Sequence, residues 1–207
     1  TQASGRTPID VLDLNCDLLS ISAHKIAGPI GIGALFVREG VELLPTIHGG
    51  GQQPLASGTM SPELCVGFSR ACLLAENWLE ENEVLRQRNL MEKFEEGLSA
   101  VGYEIHKNGP SDPSRRLAGT THITFRNIDL QDLQVWISPF VSFSTRSACA
   151  SEKTGVSHVL SAIGLSEADA NNSARFSASY RTSEQDVTNA IEYFAEYLSS
   201  QKSRVTA

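Results

Sequence analysis

The sequence lacks a long apolar segment, because none of its apolar runs approaches the roughly 18 residues that a membrane-spanning helix needs. Residues 1–5 contain no starting methionine and no signal-peptide pattern. We therefore expect the chain to be cut from a longer one. Basic residues are also few, 17 against 24 acidic ones, which gives a net charge of −7. This balance argues against a nucleic-acid-binding surface.

Cysteine is sparse as well. The four cysteines, Cys16, Cys65, Cys72 and Cys149, form no CxxC pair and have no metal-ligand spacing with histidine. This pattern predicts a reducing, cytoplasmic compartment and neither a metal site nor a disulfide framework. The 207 residues, 41% of them hydrophobic, are enough to bury a core in one or two domains.

A lysine stands where one β-prone run, residues 18–21, gives way to a glycine- and proline-rich turn, and a second run follows at 34–37. A strand-end lysine in a partly buried turn can lose enough solvation for Schiff-base chemistry. The neighbouring Ser22 and His24 offer donors for a phosphate. Lys25 is therefore either such a nucleophile or a surface lysine beside a turn.

The middle of the chain predicts a loop and then a long helical region. The glycine triplet in residues 49–53 is typical of a flexible loop or of a close backbone approach. A capping serine followed by proline at 61–63 starts a helix, and apolar residues keep helical spacing up to the glycine at 102. We expect a break near 80–82, and unreactive core or near-core thiols at Cys65 and Cys72.

The last third predicts a smaller α+β arrangement. Strands are expected at 103–106, 122–125 and 141–144, with a short helix at 130–137. The third of these strands leads to Cys149, which has Arg146 and Lys153 nearby. An electropositive setting favours the thiolate, so Cys149 is either a nucleophile or a bystander.

The segment 174–180 predicts a two-faced strand, with Arg175 pointing away from the core. Its planar guanidinium suits bidentate carboxylate binding, although a pair with a surface acid is the alternative. Ser183 and Asp186 then have the spacing of a capping motif, which predicts a final amphipathic helix packed on the sheet.

Three motifs carry a resemblance to one family. They lie at residues 22–33, 146–151 and 172–177, and they read Ser-Ala-His-Lys-Ile-Ala-Gly-Pro-Ile-Gly-Ile-Gly, Arg-Ser-Ala-Cys-Ala-Ser and Asn-Ser-Ala-Arg-Phe-Ser. In this order they resemble the lysine, cysteine-loop and carboxylate-arginine segments of the NifS/IscS-type cysteine desulfurases, which are class V aminotransferases of fold type I. The cysteine segment is more similar to the branch with the longer, mobile loop than to the SufS branch.

The resemblance implies an α/β fold. Residues 1–78 would be the end of a pyridoxal 5′-phosphate-binding large domain of the aspartate aminotransferase fold, and 79–207 a small C-terminal α+β domain with the cysteine loop. It also implies that Lys25 holds the cofactor and acts as a base, that Cys149 takes the sulfur as a persulfide, and that Arg175 binds the substrate carboxylate.

Further cofactor contacts follow from the same resemblance. Thr59 matches a threonine that in the family reaches the cofactor phosphate of the partner subunit, while Ser22 and His24, inside the lysine motif, stay the candidate phosphate donors beside Lys25. Gln2 matches a glutamine beneath the cofactor ring, whose companion aspartate would precede this chain; the alternative is a frayed terminal residue. The loop before Thr59 departs from the family at Gln53 and Ala56 and is one residue shorter.

The implied activity converts L-cysteine to L-alanine and passes the sulfur to acceptor proteins, such as an iron–sulfur scaffold, for cluster or other sulfur-containing cofactor synthesis. A homodimer is expected, with no nucleic acid, membrane or metal involved. A selenocysteine lyase or another class V enzyme is the alternative. A catalytically incompetent fragment is a second one, since the chain lacks the ring aspartate and much of the phosphate site and is expected to bind the cofactor weakly by itself.

Overall fold

The computed structural model describes residues 2–53, 55–145 and 157–205, so Cys149 and its neighbours Arg146 and Lys153 lie outside the described residues. The chain divides into two compact units, Thr1–Glu83 and Val84–Ala207. The assignment of residues 1–78 and 79–207 to two domains stays a prediction. No helix within the described residues combines the length and the apolar character needed to cross a membrane.

The first unit contains an antiparallel hairpin and one long helix. Strands β1 (Leu18–Ser22) and β2 (Gly33–Val37) pair from Leu18↔Val37 to Ser22↔Gly33. One turn of 3₁₀ helix, Ala23–Ile26, follows β1 directly. Helix α1 (Pro62–Glu80) starts as predicted, since the hydroxyl of Ser61 accepts from the backbone N–H of Leu64.

The small core of this unit joins the 3₁₀ turn to α1. Within the described residues its buried members are Ala23, Ile26, Phe68, Ala71 and Ala75. The buried arc of α1 is narrow, and Cys72 lies beyond its edge. The prediction of a core or near-core thiol was therefore wrong for Cys72, which is exposed, while Cys65 is half-buried.

The predicted break in the long helical region is confirmed. Helix α1 ends at Glu80, Asn82 takes a left-handed conformation with φ of 58°, and α2 runs over Glu83–Val101. Gly102 then ends α2 with φ of 106°, a conformation that costs glycine little. The backbone N–H of Tyr103 closes this cap on the carbonyl of Leu98 at 3.1 Å.

The second unit is built around a three-stranded antiparallel sheet in the order β3-β4-β5. The strands are β3 (Ile105–Lys107), β4 (Thr120–Phe125) and β5 (Ser173–Ser177). Among the described residues, the α-helices of this unit after α2 are α3 (Leu130–Ile137), α4 (His158–Ala162), α5 (Glu167–Asn171) and α6 (Glu184–Val205). One face of the sheet, with Ile123, Phe125 and Phe176, is buried in the core.

Helix α6 supplies much of that core. Its start is the predicted capping motif, because Ser183 and Asp186 exchange side chain to backbone hydrogen bonds of 2.8 and 3.1 Å. Phe194 of α6 is fully buried and has ring contacts with Phe94 and Phe176 at 5.7 and 5.9 Å. These aromatic contacts hold α6 to α2 and to the sheet.

Two predicted strands differ from the structure. Residues 141–144 form no strand, and only Ser144 pairs, through one isolated bridge to Arg175. The predicted strand at 174–180 ends at Ser177, because the chain turns there toward the cap of α6. Tyr180, expected on the buried face, is consequently 39% exposed.

Candidate active site

Lys25 lies on the 3₁₀ turn that joins the two strands of the hairpin. The turn is partly buried, since Ala23 and Ile26 are 0% and 5% exposed. The side chains of His24 and Lys25 are exposed, so the turn is partly buried as predicted but the expected loss of solvation at Lys25 is not seen. The two apolar residues anchor the turn and the two basic residues face outward.

Close packing against α1 fixes the backbone of this turn. The N–H of Gly28 donates to the carbonyl of Ala23 at 2.8 Å, after a left-handed Ala27 with φ of 61°. A Cβ atom on Gly28 would lie 2.9 Å from that carbonyl oxygen and 3.0 Å from Cβ of Ala71, so only glycine fits without a shift. The ring of Pro29 sits similarly close to Gly67 of α1.

The groups beside Lys25 suit a phosphorylated aldehyde. Ser22 ends β1 and its hydroxyl makes no capping bond to the turn that follows, while His24 presents its imidazole. A primary amine reacts with an aldehyde, and hydroxyl, imidazole and backbone N–H groups bind phosphate. The donor set on this one turn therefore fits pyridoxal 5′-phosphate in chemical terms.

Gln2 and Thr59 belong to the same compact unit, and both are exposed. The turn after Gln2 approaches the lysine segment, since a Cβ atom on Gly5 would lie 3.4 Å from the side chain of Ile26. Thr59 follows a loop that closes on itself, in which the backbone N–H of Ser57 donates to the carbonyl of Ile47 at 3.0 Å. The structure thus brings the segment after Gln2 near the lysine turn, whereas Thr59 borders the start of α1.

Arg175 lies in the second unit, on β5, with its side chain exposed. Its backbone N–H and carbonyl both bond to Ser144, at 2.7 and 3.1 Å. Its cross-strand partner on β4 is His122, and both lie on the sheet face opposite the aromatic core. The orientation of Arg175 away from the core was predicted correctly from the alternation along the strand.

Sequence reasoning missed a polar cluster beside Arg175, made of Asn108, His122, Thr124 and Ser173. Nδ2 of Asn108 lies 2.9 Å from Nδ1 of His122 and 2.9 Å from the hydroxyl of Thr124. Burial, and after it the charge of Arg175, lowers the pKa of His122. The alternation in residues 122–125 placed His122 and Thr124 on one face, but it carried no information about their partners on other strands.

A second unforeseen group is the buried carboxylate of Glu95 on α2, which is 5% exposed. It pairs with Lys107 at 3.0 Å and Arg116 at 3.2 Å, and it accepts a short hydrogen bond from Thr121. These partners compensate its burial and tie α2 to the sheet. No group of three or more potential metal ligands occurs within the described parts of the chain.

Comparison with known proteins defines the class. The family profile described as "Aminotransferase class-V" matches residues 1–189. The chain therefore belongs to the class-V aminotransferase family. The resemblance drawn from the three motifs and the predicted α/β fold are confirmed at this level.

Particular relatives narrow the comparison. The chain is 42% identical over 187 residues to "Cysteine desulfurase IscS" of Clostridium botulinum and 38% identical over 185 residues to "IscS-like cysteine desulfurase" of Mycobacterium tuberculosis. These alignments cover 89% and 88% of this chain and 47% of each relative. The chain thus spans about half the length of the curated relatives it matches.

Solved structures agree. A protein described as "NIFS-LIKE PROTEIN" matches with a TM-score of 0.81 and 33% identity, over 95% of this chain and 50% of that one. The NifS-like protein from Rickettsia africae matches with a TM-score of 0.80 and 31% identity, over 94% and 51% of the two chains.

Proposed function

We propose that this chain is part of a pyridoxal 5′-phosphate-dependent cysteine desulfurase that converts L-cysteine to L-alanine. The observation that carries the proposal is the lysine turn, in which packing on α1 fixes the backbone while Lys25 and His24 remain exposed. Relatives named cysteine desulfurases, at 37–42% identity, support the choice of substrate.

In this proposal Lys25 holds the cofactor, and Ser22, His24, Thr59 and Gln2 contribute to its binding. The cofactor, when bound, withdraws electrons from the bonds to the substrate Cα. The amine of Lys25 moves the proton at Cα. The residues of the turn thereby combine tethering, phosphate binding and proton transfer within a few positions.

Arg175 binds the carboxylate of L-cysteine through its guanidinium. The thiolate of Cys149 forms a bond to the substrate sulfur while the Cβ–S bond breaks. The electron pair of the broken bond stays with the carbon skeleton, which becomes alanine after protonation, and Cys149 is left as a persulfide. The persulfide sulfur then passes to an acceptor protein, such as an iron–sulfur scaffold. The same proposal includes a homodimer and a cytoplasmic location for the protein that carries this chain.

The experiment compares three cysteines in the protein that carries this chain. Cys149→Ser should abolish persulfide and sulfide formation and retain the visible colour of the bound cofactor, because a hydroxyl does not replace a thiolate in attack on sulfur. Cys65→Ser and Cys72→Ser are matched controls on α1 and should keep sulfur transfer. Alanine and persulfide are measured together for each variant.

Three outcomes would point to other functions. Wild-type rates from Cys149→Ser would make Cys149 a bystander and favour a lyase that needs no protein thiol. A strong preference for L-selenocysteine over L-cysteine in the same assay would identify a selenocysteine lyase. A protein that binds no cofactor would favour the non-enzymatic alternative.

A further inference from the structure

A polar chain of hydrogen bonds ends at His122, beside the arginine proposed to bind substrate. Its inner members are almost fully buried: Ser173, Thr124 and Asn108 are 0%, 1% and 7% exposed. Burial leaves each hydrogen atom few possible acceptors, so the protons along the chain can be assigned one by one.

The assignment starts at the carbonyl of Asp169, which can only accept. The Ser173 hydroxyl lies 2.5 Å from this oxygen and must donate to it. The Thr124 hydroxyl lies 2.7 Å from that of Ser173 and 3.2 Å from Oδ1 of Asn108, and its proton goes to the shorter contact because Ser173 has no second proton to place there. The oxygen of Thr124 is then free to accept from the amide of Asn108 at 2.9 Å.

This order fixes the imidazole of His122. The remaining N–H of the Asn108 amide donates to Nδ1 of His122 at 2.9 Å, so Nδ1 is an acceptor and the ring proton lies on Nε2. A reversed Asn108 amide would set its oxygen 2.9 Å from the Thr124 oxygen with no proton between them, and would leave its nitrogen only the longer contact of 3.2 Å to that hydroxyl. The network thus holds His122 as a neutral donor at Nε2.

The backbone places this donor next to Arg175. Arg175 exchanges its backbone hydrogen bonds with Ser144, and the carbonyl of His122 accepts from Asn108 on the other side, at 2.8 Å. His122 and Arg175 are therefore a non-hydrogen-bonded cross-strand pair, the type in which side chains lie closest. Both side chains project from the polar face of the sheet, and both reach solvent.

We propose that Nε2–H of His122 is a second donor for the substrate carboxylate bound by Arg175, which makes His122 a specificity-determining residue. The proposal rests on the proposed function, since Arg175 is the carboxylate ligand there. A neutral donor adds a hydrogen bond without the repulsion that a second cation beside Arg175 would bring. The site then selects amino acids with a free carboxylate.

The test uses the protein that carries this chain, loaded with its cofactor, and two ligands that differ only in the carboxylate. These are L-alanine and L-alaninamide, measured as competitive inhibitors of L-cysteine turnover. His122→Met should raise KM for L-cysteine and the inhibition constant of L-alanine about tenfold, the value of one charge-assisted hydrogen bond, with little change in kcat. The inhibition constant of L-alaninamide should not change.

The matched control is His122→Gln, whose amide nitrogen reaches the position of Nε2 and should restore most of the L-alanine affinity. Nitrogen NMR of the wild-type imidazole gives a readout independent of turnover and of variant folding, with the proton expected on Nε2. A proton on Nδ1, or equal losses for L-alanine and L-alaninamide in His122→Met, would overturn the proposal. So would a glutamine variant as weak as the methionine variant.

Arg175→Gln separates this proposal from the one on which it rests. If Arg175→Gln removes the preference for L-alanine over L-alaninamide and His122→Met keeps it, only the role of His122 is wrong. If Arg175→Gln also keeps the preference, the assignment of Arg175 as carboxylate ligand fails.

Discussion

The two units of the chain place their proposed functional residues on very different supports. In the second unit Arg175 stands on the middle of a strand whose opposite face is packed with buried aromatic rings. In the first unit Lys25 stands on a short turn that packs on a few residues of one helix, among them Phe68 and Ala71. Large apolar side chains of this unit, such as Ile30 and Leu44, are 84% and 90% exposed.

The difference shows two ways of fixing a reactive side chain. Burial of large apolar surface on the opposite face of the sheet stabilises the strand that carries Arg175. The polar network beside Arg175 fixes the orientation of its neighbouring side chains. Around Lys25, close approach of backbone to Gly67 and Ala71 limits the turn to one shape while burying little apolar surface. We therefore expect the stability of the second unit to depend mainly on its buried aromatic rings and less on single polar groups. In the first unit, a single added methyl group at the lysine turn should be enough to disturb the turn.

The largest effect should come from the aromatic core of the second unit. Phe194→Ala removes a fully buried ring in contact with Phe94 and Phe176 and should lower the free energy of unfolding of this unit by about 3–5 kcal/mol. Hydrogen exchange of β4 amides with and without denaturant measures the loss. Val135→Ala, at a site 78% exposed on α3 of the same unit, is the control and should cost under about 0.5 kcal/mol.

A smaller but more local effect is expected at the lysine turn. Gly28→Ala adds a methyl group 2.9 Å from the carbonyl oxygen of Ala23 and should cost about 1–3 kcal/mol while displacing the turn. Gly51→Ala is the matched control, since a Cβ atom there meets nothing within 4 Å. Thermal unfolding and the NMR shifts of the Lys25 region report the two effects. Equal behaviour of the two variants would remove the distinction between the two supports.

Removing a single hydrogen bond from the core of the second unit should lower the free energy of unfolding by less than the two changes above. The hydroxyl of Tyr103 donates to the carbonyl of Phe194 at 2.9 Å, and burial raises the pKa of this phenol. Tyr103→Phe should destabilise the second unit by about 1 kcal/mol, the net value of one such bond. The variant should also lose part of the destabilisation at alkaline pH, because the folded chain keeps a proton that the unfolded chain releases. A chemical denaturation series from pH 8 to 11 tests both statements.

The smallest expected effect is a loss of stability of the second unit at acidic pH. The folded chain lowers the pKa of His122, so the unfolded chain binds the proton first as pH falls. The stability of the second unit should therefore be unaffected above the ordinary histidine pKa of about 6.5 and decline as pH drops below it. His122→Gln should flatten that part of the pH profile of unfolding. An unchanged profile would mean that His122 is not held neutral.

Local features of the fold were predictable from the sequence, because the relevant groups lie within one turn of helix. The cap at Ser61 and the Ser183/Asp186 motif are examples, and both are present in the structure. Features set by partners distant in sequence were not predictable. The segment 141–144 has a strand pattern, yet only Ser144 pairs, through its bridge to Arg175.

The residues of the candidate site differ in the same way in how far the sequence predicts them. Lys25 and Arg175 were found from motifs and alternation, whereas the pairing of His122 with Arg175 depends on the register of two strands far apart in sequence. The burial of Cys72 was predicted wrongly because helical spacing alone does not give the width of a buried face. The width is set by what packs against the helix, here the two buried residues of the lysine turn, Ala23 and Ile26.

The claim that Lys25 is the cofactor lysine is tested most directly by borohydride reduction followed by peptide mapping. The protein that carries this chain is loaded with pyridoxal 5′-phosphate, reduced and digested, and the labelled lysine is located by mass spectrometry. We expect a single stoichiometric label on Lys25, absent from Lys25→Ala, because its amine is presented on a fixed turn beside Ser22 and His24. A label on another lysine, or one that persists in Lys25→Ala, would contradict it.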